Sequence, residues 1–319
     1  MSYRRCLSGP RLLLGLLGLS LTLEVQGLNG FDLSNLEVPR RYVSQGGPPK
    51  DGIPALDAPR FVAAPDASTW LEDEAPVLGL ELRGVQKAYP LSILNWHELV
   101  NDRYGSQPVL ISFCPLCGTG MGFEAALDGE RLVFGVSGLV YNSDLLFYDR
   151  QSESLWSQID RRAVSGPLRG RTLTQLPLQR MTWAQWRERY PNTVVLDREQ
   201  GFSRDYSDDP YAGYEQSRRL FFKVAGRIPK DYHHKEKVVG LRRGEDRLAI
   251  PYKELRALGQ PSLQVRVGDE TLTIRWHDAQ STVEVLDAEG TPAVHTIAFW
   301  FAWYAFHPET RIYRAQEAS

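Results

Sequence analysis

Residues 108–123 read PVLISFCPLCGTGMGF. An apolar run leads into Cys114-Pro115-Leu116-Cys117-Gly118, and a Gly-rich turn leads out into another apolar step. Short apolar runs bounded by turn residues read as buried strands, so a strand delivers Cys114 into a tight loop. Two residues separate the cysteines. At that spacing one loop presents two sulfurs to one metal ion, or to each other. Gly118 supplies backbone freedom just after the second sulfur.

Working outward, the pattern stays β-rich. Asp128-Gly129 is a hairpin turn, 132–136 a strand, 145–148 another, and Asp149-Arg150 turns the chain into a third over 154–158. Thr182 caps a short helix over 183–190 that Pro191 stops, and 193–196 is again a strand. Residues 91–100 read as a helix whose Ile93, Trp96, His97 and Val100 share one buried face, so His97 points inward. The segment 296–307 carries six aromatic rings and reads as a buried central element ended by His307.

One unit occurs twice. Residues 77–94 and 238–255 align without a gap at an offset of 161 (238 − 77), with six of 18 positions identical. Each copy reads as strand, polar turn, strand, then proline opening a short helix. The repeat is either a duplication giving two pseudo-repeated halves or a chance likeness of two hairpins. The expected fold is therefore α+β and β-rich, with antiparallel sheets and short helices. It forms one domain over 61–319, preceded by an extended, turn-rich arm over 28–60.

The N-terminus has the order of a secretory signal over residues 1–27: Arg4 and Arg5, an apolar run from Leu12, then Val25-Gln26-Gly27. Twin-arginine export is the alternative to the general route. The apolar run is short for a membrane span, so the expected product is exported, periplasmic or extracellular, and not an integral membrane protein. Cys6 leaves with the signal, and the mature chain keeps only the 114/117 pair. Net charge of −2 gives no electrostatic reason to expect nucleic acid. No G-x-S-x-G, Walker, G-x-G-x-x-G or H-E-x-x-H pattern is present, which removes support for several common enzyme classes.

The strings NWHELVND, the CPLCG run, FGVSGLVYNSDLLFYDRQSESLWSQ and FWFAWYAFHPET together resemble a family of exported bacterial and archaeal proteins known as domain of unknown function 3179. The likeness spans about 77–310 and implies one unit over nearly the whole mature chain. It implies no activity.

A C-P-x-C-G loop also resembles the metal knuckle of rubredoxins and zinc ribbons, which use two such knuckles where this chain has one. The remaining ligands must then come from elsewhere. The expected metal site is Cys114 and Cys117 completed by His97 and His307, with His234 and Met121 as weaker candidates. Copper is preferred over zinc, on the grounds of two thiolates, histidine and nearby aromatics. Asn142, Trp156 and Gln158 are the expected surrounding shell. The stretch Tyr141–Asp144 reads as a turn, or as a polar wall beside the cysteine loop. Asp205, Ser207 and Asp209 read as solvated, as do His233, His277 and His295. Two other classes stay open: a thiol–disulfide oxidoreductase cycling the cysteine pair, and a non-catalytic module whose aromatic C-terminal half docks a protein partner.

Overall fold

The computed structural model describes residues 27–317. The export signal expected over 1–27 lies outside the described residues, Gly27 excepted. Among the described residues no helix is long and apolar enough to cross a membrane.

The chain is strand-rich, with several largely antiparallel sheets and short helices. The largest sheet runs Arg311–Ile312, Asp246–Pro251, Lys237–Arg243, Thr296–Phe299, Thr119–Glu124, Gln107–Cys114, Leu99–Tyr104. A second runs Gln179–Thr182, Pro76–Leu82, Val85–Pro90, Val194–Leu196, Phe61–Ala63. A third places Asp144–Asp149 between Phe134–Tyr141 and Leu155–Ser157, with Val43–Gln45 of the N-terminal arm on its edge. Among the described residues two strand pairs are parallel, Val194–Leu196 with Val85–Pro90 and Arg311–Ile312 with Asp246–Pro251.

The two hairpins singled out by the offset of 161 share one register. Val77 pairs with Pro90 and Gly79 with Ala88; Val238 pairs with Pro251 and Gly240 with Ala249. Each then gains the same flanking elements. Gln179 lies opposite Gly79, and Thr296 lies opposite Gly240, on strands that lead into the helices Trp183–Arg189 and Trp300–Phe306. Trp186 and Trp303 lie over the two glycines, so close that a Cβ at Gly79 or Gly240 would sit 2.2 Å from the indole. The indoles donate to Thr193 Oγ1 at 2.9 Å and Thr310 Oγ1 at 3.1 Å. Only glycine admits this approach of ring to backbone. The 296–307 segment is thus a short strand followed by a helix, with Trp300, Phe301 and Trp303 buried in the core and unavailable as a docking surface.

One helix ends early. The periodicity over 91–100 gives a helix, but the helix stops at His97. Glu98 takes a left-handed conformation (φ 58°), and Leu99–Tyr104 leaves as a strand paired with Gln107–Cys114. Ladder hydrogen bonds to that neighbour outweigh local helix periodicity. Val100 is buried through the sheet rather than on a helix face. The consequence is functional, because Glu98 sits at the corner and its carbonyl accepts from Phe113 N–H at 2.7 Å, one residue before Cys114.

Candidate metal centre

The strands Gln107–Cys114 and Thr119–Glu124 pair up to Cys114 opposite Thr119, so residues 115–118 close a tight turn at the sheet end. Gly118 adopts φ +64°, the conformation an L side chain resists, and faces the Phe299 ring. The Cys117 carbonyl accepts from Phe299 N–H at 2.8 Å, and the Gly118 carbonyl accepts from Arg180 at 3.1 Å. The loop is therefore pinned by backbone partners on both sides of its second cysteine. Both cysteines are free thiols, and both are buried in the largest apolar cluster.

A second hairpin brings the third donor. Asn142 and Ser143 both have positive φ, the geometry of a two-residue turn between paired strands, and Asp144 follows at once. Asp144 is 1% exposed. The Cys117 thiol donates to its Oδ1 at 2.9 Å, and Ile159 N–H donates to its Oδ2 at 3.1 Å. Ligand atoms of Cys114, Cys117 and Asp144 all lie within 4.8 Å of one another.

Burial shifts every acid here toward its protonated form. Burial pushes the Cys114 thiol up, and pushes Cys117 well above the ordinary thiol range with help from Cys114 and Asp144. Burial raises Asp144 to about 7 and Glu98 to about 8, the latter reinforced by the Asp144 charge. Glu98 and Cys114 line one small cavity of about 80 Å3, which Tyr211 covers. Tyr214, from the same polar aromatic loop, has a buried hydroxyl with no partner. Among the described residues, no lysine, arginine or histidine forms an ion pair or hydrogen bond with any of the four acids, although buried charges normally require such a partner.

The histidines expected to complete the site lie elsewhere. His97 is buried as expected, but its Nδ1 bonds the Pro54 carbonyl at 2.8 Å and its Nε2 the Tyr206 hydroxyl at 2.7 Å. Both ring nitrogens are occupied in a structural role. His307 is buried beside Trp303, and burial with the Arg247 and Arg242 charges brings its pKa down to about 3. His234 bonds the Arg218 carbonyl at 3.1 Å. His295 is not a surface residue: it is buried, with Nδ1 on the Ala293 carbonyl at 2.9 Å.

Of the expected surrounding shell, Gln158 is closest to the loop, donating to the Thr119 carbonyl at 3.3 Å and to Ser112 Oγ at 2.8 Å. Its own carbonyl oxygen is buried without a partner. Trp156 spends its N–H on Asp149 at 2.9 Å and lines the common apolar cluster. Asn142 braces the hairpin instead, accepting from Ala225 N–H at 2.8 Å. Asp205 and Asp209 are exposed, as expected. Sequence reasoning missed Asp144 as a donor and Glu98 altogether. For Asp144 the signal was present in 144–149, DLLFYD, where an acid opens an otherwise apolar strand directly after a turn.

No curated protein matches the chain, and no solved structure matches it. A family model described as a protein of unknown function (DUF3179) matches residues 50–310, most of the chain, and the chain belongs to that family.

Proposed function

We propose that Cys114, Cys117 and Asp144 hold a divalent metal ion in a protein that works outside the cytoplasm. The observation that supports this best is chemical. Two thiols and a carboxylate converge within 4.8 Å, buried, with no cationic side chain to neutralise them. A cation in their midst would stabilise the anionic forms of these three groups and of neighbouring Glu98, and metal affinity would carry their proton release. Zinc fits better than copper, because the third donor is a carboxylate rather than the imidazole or thioether that favours copper. Three donors beside a cavity lined by Glu98 suit an open, reactive centre rather than a closed structural one. The export reading rests on the basic–apolar–small order of residues 4–27.

A second reading is favoured by one contact. The Cys117–Asp144 hydrogen bond gives a dithiol the carboxylate it needs to lose a proton, as a thiol–disulfide oxidoreductase would require. One experiment separates the two. Mature protein from its export compartment is assayed for metals and for free thiols, beside Cys114→Ser/Cys117→Ser and Asp144→Asn. About one zinc per chain, lost in the double variant and weakened in Asp144→Asn, supports the metal centre. Metal-free protein whose two thiols titrate only after reduction sinks it and supports the redox pair.

A further inference from the structure

On the far side of the Ser157–Arg161 turn lies a second site. The turn gives Ile159 N–H to Asp144 on one side, and on the other Arg161 lines a cleft of about 650 Å3. Arg242 and Arg243 line the same cleft from the hairpin strand Lys237–Arg243, and all three also line the small pocket at its floor, beside His295 and His307. The volume is that of a small-molecule site.

The three arginines differ. Arg243 is neutralised, with its Nε 2.5 Å from Glu270. Arg161 and Arg242 form no ion pair among the described residues, and the one side-chain hydrogen bond of Arg161 is a long 3.5 Å contact to Gln175. Both are half-buried: burial and the Arg242 charge bring Arg161 down to about 10, and burial and the Arg247 charge lower Arg242. Arg161 also has φ 61°. Residues with side chains held in this left-handed region cluster where surrounding structure fixes a side chain for use. Two like charges converge on one cleft, Arg161 from a turn with strained backbone and Arg242 from a strand, and Asp160, the carboxylate whose charge acts most on both, forms an ion pair with neither among the described residues. Asp287 and Glu270 on the other wall keep the cleft from being uniformly basic, which disfavours a polyanion and favours a ligand with a single anionic head.

We propose that Arg161 and Arg242 bind the phosphate or carboxylate head of a small molecule seated in this cleft. Guanidinium forks bind either oxyanion in two-pronged fashion, so the shared chemistry is a compact oxyanion. The inference stands independently of the metal centre, although one turn serves both.

The mature chain is titrated with inorganic phosphate and, in parallel, with malonate, each against potassium chloride of equal ionic strength, by thermal denaturation and calorimetry. The expected result is a saturable rise in Tm and measurable heat with at least one anion and not with chloride; phosphate alone points to a phosphate ester, malonate alone to a carboxylate. Arg161→Gln and Arg242→Gln should each weaken binding by roughly tenfold or more, and Arg242→Lys should also weaken it, because the fork is lost although the charge stays. Arg131→Gln, an exposed arginine outside the cleft, should bind as the parent does. Arg242 makes no side-chain hydrogen bond among the described residues, so its variants should fold and can decide the matter if Arg161→Gln does not. Responses to both anions no larger than to chloride, or a saturable response that survives loss of Arg242, would overturn the proposal.

Discussion

Adding one methyl group at Gly79 tests how tightly the first hairpin is packed. A Cβ there would lie 2.2, 2.3 and 2.6 Å from three atoms of the Trp186 ring, where ordinary carbon contacts begin near 3.4 Å. The overlap is about 0.8–1.2 Å at the three atoms, and the ring has no free direction. Trp186 is 1% exposed, and its N–H is fixed on Thr193 Oγ1. Methyl insertions into a well-packed core cost about 1–3 kcal/mol, and a rigid, tethered obstacle places Gly79→Ala at the upper end, about 3 kcal/mol. For a domain of this size that lowers Tm by roughly 6–12 °C. Gly240→Ala should cost a similar amount, because Trp303 presents the same 2.2 Å approach and the same indole-to-threonine tether. Thermal and urea denaturation of both variants provide the measurement, with Gly122→Ala as a strand control whose Cβ would meet no atom closer than 3.5 Å. Combining Gly79→Ala with Trp186→Leu should cost less than the sum of the two single changes, because the smaller side chain admits the methyl. A loss below about 0.5 kcal/mol at either glycine would refute the packing argument.

Other outcomes concern the acids and histidines. Zinc loading should release about four protons at pH 6, two from the thiols and one each from Asp144 and Glu98, but about two to three at pH 8, since Asp144 titrates near 7 and Glu98 near 8; calorimetry in buffers of different ionisation enthalpy measures this, and Asp144→Asn should lower the release at pH 6 by about one proton. Glu98 rises from 4.5 to about 8 on folding, so its neutral form favours the metal-free fold at low pH and that benefit is lost as pH rises through 8. Metal-free Glu98→Gln should therefore gain on the parent between pH 5 and 9, by up to roughly 4 kcal/mol in denaturant titrations, and a constant difference would contradict the burial of this acid. His295 and His307 shift the other way, from 6.5 to about 4 and about 3. The unfolded chain binds their protons first, so stability is intact above pH 6.5 and falls on acidification, by on the order of 3 kcal/mol per histidine near pH 4; His307→Gln should make the acid limb shallower. His97→Gln should lower stability by about 1–3 kcal/mol through its two hydrogen bonds while leaving metal content unchanged. Loss of the metal in that variant would return His97 to the site.

Much of this fold is legible in local pattern. The strand into Cys114, the Asp128-Gly129 hairpin, the Thr182 cap and the 161-residue offset are short-range features, fixed by alternation and turn chemistry, and each appears where the residues put it. The site was half legible for the same reason. Two cysteines three positions apart must share a loop, whereas the third donor joins them across 27 residues through a separate hairpin. His97 shows the limit most clearly. Its inward direction was readable, yet the helix carrying it ends at Glu98, and the imidazole is satisfied by Pro54 and Tyr206, the latter 109 positions away. A buried histidine and a nearby cysteine pair are compatible with ligation; only the hydrogen bonds show which nitrogen is spent.

Without a cation this site is costly to fold. Asp144 and Glu98 are buried beside two thiols, and burial of each ionised form is unfavourable by several kcal/mol unless it is paired. Folding could avoid the cost by keeping all four protonated, which is the state the raised pKa values describe. Yet Asp144, near 7, stands at the edge of ionisation under ordinary conditions, and a purely structural core would be served as well by asparagine at that position. An acid is worth keeping there if its charge is used. Either a metal ion takes up that charge, or Asp144 takes the Cys117 proton during thiol chemistry. The two uses make opposite demands on Glu98. A cation draws Glu98 towards ionisation and makes it a fourth negative neighbour, whereas a reacting thiolate is disfavoured by any further negative charge. Glu98→Gln should therefore weaken zinc binding if the site holds metal, and should quicken alkylation of Cys114 and Cys117 if it is a redox pair.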